Sequence, residues 1–96
     1  NKQDGRISVI NGSIPHDNVP ACNLVVANIS ARVLSELSSP LYRMTAPGGI
    51  LLASGLLLEQ QDTVIAEFEK VGFVMDKLEY LDDWALIISR KPHTVP

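Results

Sequence analysis

Asn23-Leu24-Val25-Val26-Ala27-Asn28-Ile29-Ser30 is the stretch best placed to do chemistry. Leu24 to Ala27 form an uncharged apolar run that suits a short strand buried on both faces, as in a parallel sheet covered by helices. The run ends in Asn28, and Ser30 is positioned to cap a following helix. In open α/β sheets, ligands bind just beyond the carboxyl ends of the strands. A planar amide at that place offers a ligand an acceptor oxygen and two donor hydrogens. The competing reading is an ordinary turn Asn that satisfies nearby backbone groups.

The other reactive side chains have weaker contexts. His16 lies in a proline-bearing loop and His93 near the end of the chain, and both read as solvated histidines. Cys22 is the single cysteine, which excludes an internal disulfide and a cysteine-based zinc site. It reads as a small semi-buried apolar residue rather than a nucleophile. Asp82-Asp83 pairs two carboxylates, but a turn between strands explains them without a metal, and no metal site is expected. Ser54-Gly55 closes an apolar run and either lines a substrate or simply turns the chain. Trp84 reads as a packing or edge-covering residue. No Ser/His/Asp arrangement sits in a nucleophile elbow.

The elements that must hold these residues come from a chain of 96 residues, enough for one small domain. Hydrophobic residues make up 46%, as in a globular protein. Net charge is −3, and the eight Lys and Arg are scattered without a basic stripe. Direct nucleic-acid binding is therefore not expected. No apolar run approaches the roughly 18 residues of a membrane span, and no secretory signal is recognisable. No membrane partner is expected, and the cytoplasm is the default compartment.

Read in order, the chain alternates. Arg6–Ile10 reads as a strand with Ile7 and Val9 on one face, and Asn11-Gly12-Ser13 as a turn. Residues 14–22 carry Pro15 and Pro20 and read as loop. After the Leu24–Ala27 strand, Ala31, Leu34, Leu37, Leu41 and Met44 recur at helical spacing. Pro40 either kinks that helix or sits in the first turn of a second one capped by Ser38 or Ser39. Ala46-Pro47-Gly48-Gly49 should stop it. Ile50–Ala53 reads as a second buried strand ending in Ser54-Gly55. Residues 59–71 read as a helix with Val64, Ile65, Phe68 and Val71 inward and Gly72 just past its end. Phe73–Tyr80 and Trp84–Arg90 form a hairpin around Leu81-Asp82-Asp83. Residues 91–96 should be a frayed tail. Strand–helix–strand units imply parallel pairing with right-handed crossovers, and the hairpin makes the last strand antiparallel to its predecessor.

This order carries a resemblance. Leu24-Val25-Val26-Ala27-Asn28-Ile29, then Pro47-Gly48-Gly49-Ile50-Leu51-Leu52-Ala53-Ser54-Gly55-Leu56, Gly72-Phe73 and Trp84 together resemble the ribosomal protein L-eleven methyltransferases, Rossmann-like enzymes that use S-adenosylmethionine. The resemblance runs from about Ile7 to Arg90. It implies an α/β fold whose full sheet has seven strands in the order three, two, one, four, five, seven, six. This chain would supply a partial sheet, strands three to seven, with the last strand antiparallel. Strand one, with its glycine-rich cofactor loop, and strand two, with its ribose-binding acid, have no counterpart. Residues 1–90 thus read as the carboxyl-terminal part of a methyltransferase catalytic domain, with 91–96 as tail.

The resemblance also implies roles. Gly12 and Ser13 would lie near the adenine, and Ala27 and Asn28 near the methyl group of the cofactor. Asn28 would be catalytic, and Asn28, Ile29 and Ser54 would face the substrate, an amino group of a ribosomal protein. Related nitrogen methyltransferases often carry Asn-Pro-Pro-aromatic at this place; Asn28-Ile29-Ser30-Ala31 keeps only the Asn and has no aromatic platform. A partial chain of this kind would be inactive alone. The alternatives are a non-catalytic methyltransferase-like interaction module and an unrelated small α/β protein. Without strand one, the Leu24–Ala27 edge would be open. It is expected to be covered by residues 6–10 folding back, by an upstream segment, or by a second copy in a homodimer.

Overall fold

The computed structural model describes residues 6–11 and 21–93. Its elements are β1 (Ile7–Ile10), β2 (Cys22–Asn28), α1 (Ala31–Glu36), α2 (Ser38–Met44), β3 (Thr45–Leu57), α3 (Gln61–Val71), β4 (Val74–Leu81) and β5 (Trp84–Arg90), with a single 3-10 turn at Leu58–Gln60. The strands form one five-stranded sheet in the order β1-β2-β3-β5-β4. β2 is parallel to β1 and β3, and β5 is antiparallel to both β3 and β4. The α/β class, the parallel pair and the antiparallel last strand inserted between β3 and β4 are all as expected.

The first strand departs from the family order. That order separates the third strand from the fourth by two others. Here β1 lies directly beside β2, with Ile7 opposite Leu24 and Ile10 opposite Ala27. The Leu24 N–H donates to the Arg6 carbonyl at 3.1 Å. An open edge on an apolar strand leaves backbone groups unpaired, at roughly 1–3 kcal/mol for each buried one. Of the three expected covers for the edge, it is residues 6–10 that fill it. The pairing turns the Ile7 and Val9 side chains outward, 66% and 60% exposed, while Ile10 enters the core.

Local chemistry explains the helices. The Ser30 hydroxyl accepts the Val33 N–H at 3.4 Å, so the expected cap is present. Pro40 then divides the helical stretch. It has no N–H for the Glu36 carbonyl, and its ring would collide with that group. Accordingly α1 stops at Glu36, and Pro40 falls in the first turn of α2, where a missing N–H costs little. Neither Ser38 nor Ser39 caps α2; Leu37 stands at that position with no side-chain cap. α3 ends in a left-handed residue, Gly72, at φ 121°. The Gly72 and Phe73 N–H groups return to the Glu69 and Phe68 carbonyls, each at 3.1 Å. The Phe68 and Phe73 rings pack 5.4 Å apart across this closure.

The helices cover one sheet face. Val25, Ala27, Leu51, Ala53, Ala85 and Ile87 are fully or nearly fully buried with Leu34, Leu41, Val64 and Phe68. Ile65 and Val71 are only partly buried beside them. The buried Thr45 hydroxyl is satisfied: it donates to the Leu41 carbonyl at 2.9 Å. By register, Leu24, Val26, Ile50, Leu52 and Ile88 share the opposite face, and all are half-buried.

Several boundaries differ from the sequence reading: β2 already begins at Cys22, and α3 begins at Gln61 after the 3-10 turn. β3 runs from Thr45 to Leu57, longer at both ends, and absorbs Ala46 to Gly49 as an irregularity between the Cys22–Thr45 and Leu24–Ile50 pairs. The hairpin turn is Asp82-Asp83 alone, because Leu81 still pairs with Trp84. The tail is not frayed at its start. Lys91 exchanges two backbone hydrogen bonds with Gly48 and Gly49, and its ammonium sits 4.3 Å over the Tyr42 ring while donating to the Tyr42 carbonyl at 3.1 Å.

Two outcomes follow from this packing. Phe68→Ala should destabilise the chain by about 3–5 kcal/mol, much of a total of order 5–15 kcal/mol, read as a lower urea midpoint. The Leu24 amide should be protected in hydrogen exchange; exchange at the open-peptide rate would show that β1 does not close the edge.

Candidate functional site

The parallel strands β2 and β3 end side by side, and their last pair is Asn28 with Ser54. The Ile29 N–H donates to the Ser54 carbonyl at 3.2 Å, which carries the pairing one residue beyond the strand. The chain then turns at Ser30 into α1, so Asn28 stands exposed at the carboxyl end of the sheet. That is the position where open α/β sheets take ligands.

β3 is deformed at the same level. Against β5, the pairs Ala53–Ile87 and Leu56–Ala85 leave one extra residue on β3. Such a bulge bends its strand and re-aims the residues around it. Gly55 lies in this bulge at φ 90°, a left-handed conformation that favours glycine. A methyl group at residue 55 would come 2.8 Å from the Asn28 side-chain oxygen Oδ1.

The hairpin builds the opposite wall. Leu57 and Leu81 flank Trp84 at the start of β5, and the Leu58 N–H donates to the Asp83 carbonyl at 2.7 Å. This contact holds the tip of the hairpin over the end of β3. Between tip and strand ends lies a cavity of about 530 Å³ lined by Asn28, Ser54, Gly55, Glu79, Tyr80, Leu81, Trp84, Ala85 and Leu86. Its walls are mainly apolar, with the Asn28 amide and Ser54 at one end. Tyr80 and Trp84 are about half exposed, at 51% and 52%, and form the rim. Glu79 adds a carboxylate, which is 2.9 Å from the Lys77 ammonium. Hydrogen bonding and charge from Glu79 raise the Lys77 pKa above its ordinary value.

The residues singled out from the sequence fare differently. Asn28 and Ser54 meet at one end of the cavity. Ala27 and Ile29 point into the core, so each has only its peptide groups to offer a ligand. Gly12, Ser13 and His16 lie outside the described residues. Among the described residues, no cluster of His, Cys, Asp or Glu could hold a metal ion, and no helix is long and apolar enough to cross a membrane. The hairpin contribution was not read from the sequence. Its signal was present: Tyr80, Leu81 and Trp84 crowd a turn where polar residues are usual.

Comparison with known proteins gives the family and the fold. The family profile described as ribosomal protein L11 methyltransferase (PrmA) matches residues 1–92. The ribosomal protein L11 methyltransferase of Listeria monocytogenes is 36% identical over 92 residues, which is 95% of this chain and 29% of the relative. That of Carboxydothermus hydrogenoformans is 31% identical over 91 residues, 95% of this chain and 30% of the relative. The chain thus spans less than a third of the length of these relatives. Among solved structures, a ribosomal protein L11 methylase from Lactobacillus delbrueckii subsp. bulgaricus superposes with a TM-score of 0.71 at 23% identity, over 77% of this chain and 38% of that one. A methyltransferase from Pyrococcus furiosus gives 0.62 at 14% identity, over 84% of this chain and 46% of that one. These structural likenesses establish the Rossmann-like methyltransferase fold. With the profile covering nearly every residue, the chain belongs to the ribosomal protein L11 methyltransferase family.

Proposed function

We propose that this chain forms the acceptor side of the active site of an S-adenosylmethionine-dependent methyltransferase that acts on amino groups of a ribosomal protein. The observation that carries the reading is Asn28, exposed at the carboxyl end of β2 and at the polar end of an apolar cavity. S-adenosylmethionine would supply an electrophilic methyl group on a positively charged sulfur. Asn28 and Ser54 would stand nearest that group. Gly12 and Ser13 keep the adenine role that the family resemblance suggests, and the soluble cytoplasmic setting remains part of the proposal.

The chemistry asked of the protein is modest. An attacking amine must present its lone pair in line with the methyl group, at about 3–3.5 Å. Its hydrogens must therefore point elsewhere. The Asn28 oxygen can accept one of them, and a peptide carbonyl at the β2 turn can accept another. These dipoles also favour the positive charge that grows on nitrogen as the bond forms. An aliphatic side chain carrying the amine suits the apolar walls of Leu81, Trp84 and Leu86. Tyr80 and Trp84 offer ring faces at the mouth, a place where the Asn-Ile-Ser-Ala sequence itself has none.

In a complete enzyme containing this segment, Asn28→Ala should reduce turnover by about ten- to a hundredfold, the equivalent of ~1–3 kcal/mol for one hydrogen bond, with little change in affinity for the methyl donor. An unchanged turnover number would remove Asn28 from the reaction. Calorimetry on the 96-residue chain alone should detect no saturable S-adenosylmethionine binding up to roughly millimolar ligand. Micromolar binding would mean that these residues hold the cofactor unaided.

A further inference from the structure

We propose that Gly55 is a positioning residue that fixes the side-chain rotamer of Asn28, so that the absence of a Cβ at residue 55 sets where the Asn28 oxygen points. The inference rests on the reading of Asn28 as the group that receives the amine. Three observations converge on it. Gly55 is in the left-handed region, at φ 90°, where an L side chain is strained whatever space it has. The one-residue bulge between Ala53 and Leu56 pushes this part of β3 out of regular pairing, beside the end of β2. A Cβ built there would lie 2.8 Å from Asn28 Oδ1, 2.9 Å from the Ile29 carbonyl oxygen and 3.2 Å from the Ile29 nitrogen.

The last two contacts decide the consequence. The Ile29 N–H is held by its hydrogen bond to the Ser54 carbonyl, so the nitrogen cannot move aside without breaking the final rung of the β2–β3 ladder, and the adjoining Ile29 carbonyl is backbone rather than the far end of a side chain. The Asn28 side chain is the softer partner. Its rotamers are separated by small energies, and a methyl group at residue 55 would be relieved by turning the amide away. The bare glycine does the opposite. It leaves a seat for the oxygen against the β3 backbone, at the wall of the cavity that Asn28 and Gly55 both line. A displacement of about an ångström in such a group can cost a hundredfold in rate.

Two measurements test this. In the 96-residue chain, three-bond couplings that report the Asn28 χ1 angle should indicate a single rotamer in the native sequence. They should indicate averaging or a different rotamer in Gly55→Ala. Averaged couplings in the native chain overturn the proposal, even if the variant does not fold. Unchanged couplings in a folded variant do so as well. In a complete methyltransferase containing this segment, Gly55→Ala should lower turnover at least about tenfold while the KM for the methyl donor stays within about twofold. On an Asn28→Ala background, the same change should cost no more than about twofold, because the group it acts through is gone. Full multiplicative losses in the double variant would mean that Gly55 matters only for the fold, and would overturn the proposal. If Asn28→Ala alone leaves turnover unchanged, the acceptor reading fails, and the rotamer couplings decide the seating of Asn28 by themselves.

Discussion

A strand inside a sheet must pair along both of its edges, and in this molecule β2 is such a strand. One face of Cys22–Asn28 is buried through Cys22, Val25 and Ala27, and its peptide groups cannot be left without partners once buried. β3 satisfies one side through the ladder from Leu24–Ile50 to Asn28–Ser54, and β1 satisfies the other through Ile7 to Ile10. The position of β1, beside β2 rather than two strands away, is a direct consequence of this requirement. It also explains why the Ile7 and Val9 side chains remain exposed on an outer strand. The backbone ladder is satisfied while two apolar side chains stay largely uncovered among the described residues.

The two faces of the sheet are unequal for a related reason. The β2-to-β3 crossover and the α3 connection lie on the same side, so all three helices pack together there. Phe68 ties them to the sheet and, through Phe73, to Tyr42 at 5.0 Å. Lys91 then covers the outer face of the Tyr42 ring. The opposite face carries Leu24, Val26, Ile50 and Leu52, all half-buried, and no described helix lies over it. The core is thus a single layer of side chains between one sheet and one set of helices.

The candidate site lies where that arrangement stops. The parallel strands end together, and their last apolar pair, Ala27 with Ala53, gives way at once to Asn28 and Ser54. Small residues and a bulge at Gly55 keep the corner open. The antiparallel β4–β5 hairpin reaches past the strand ends, held by the hydrogen bond from Leu58 to Asp83, and adds the apolar rim. One end of the cavity is therefore made by strand termini and the other by a hairpin, elements that approach only because β5 pairs with β3.

Sequence alone determined the local elements, since their causes are local. The apolar run of β2, the Ser30 cap, the Pro40 break, the Gly72 stop and the helical spacing of Leu34, Leu41, Val64 and Phe68 each act over a few residues. The order of short motifs around Asn28 was equally legible, and it pointed to the family and to the end of β2. Tertiary structure decided the rest. Which strand closes the β2 edge depends on a competition among distant partners that no local pattern encodes. The length of β3 depends on Thr45 finding Cys22 and Leu57 finding Trp84. The anchoring of Lys91 depends on Tyr42, 49 residues earlier. The contribution of Tyr80, Leu81 and Trp84 to the cavity, and the approach of Gly55 to Asn28, arise from pairings between strands far apart in the chain. Side-chain chemistry is carried by each residue, but the distances between such residues exist only once the backbone ladder has closed.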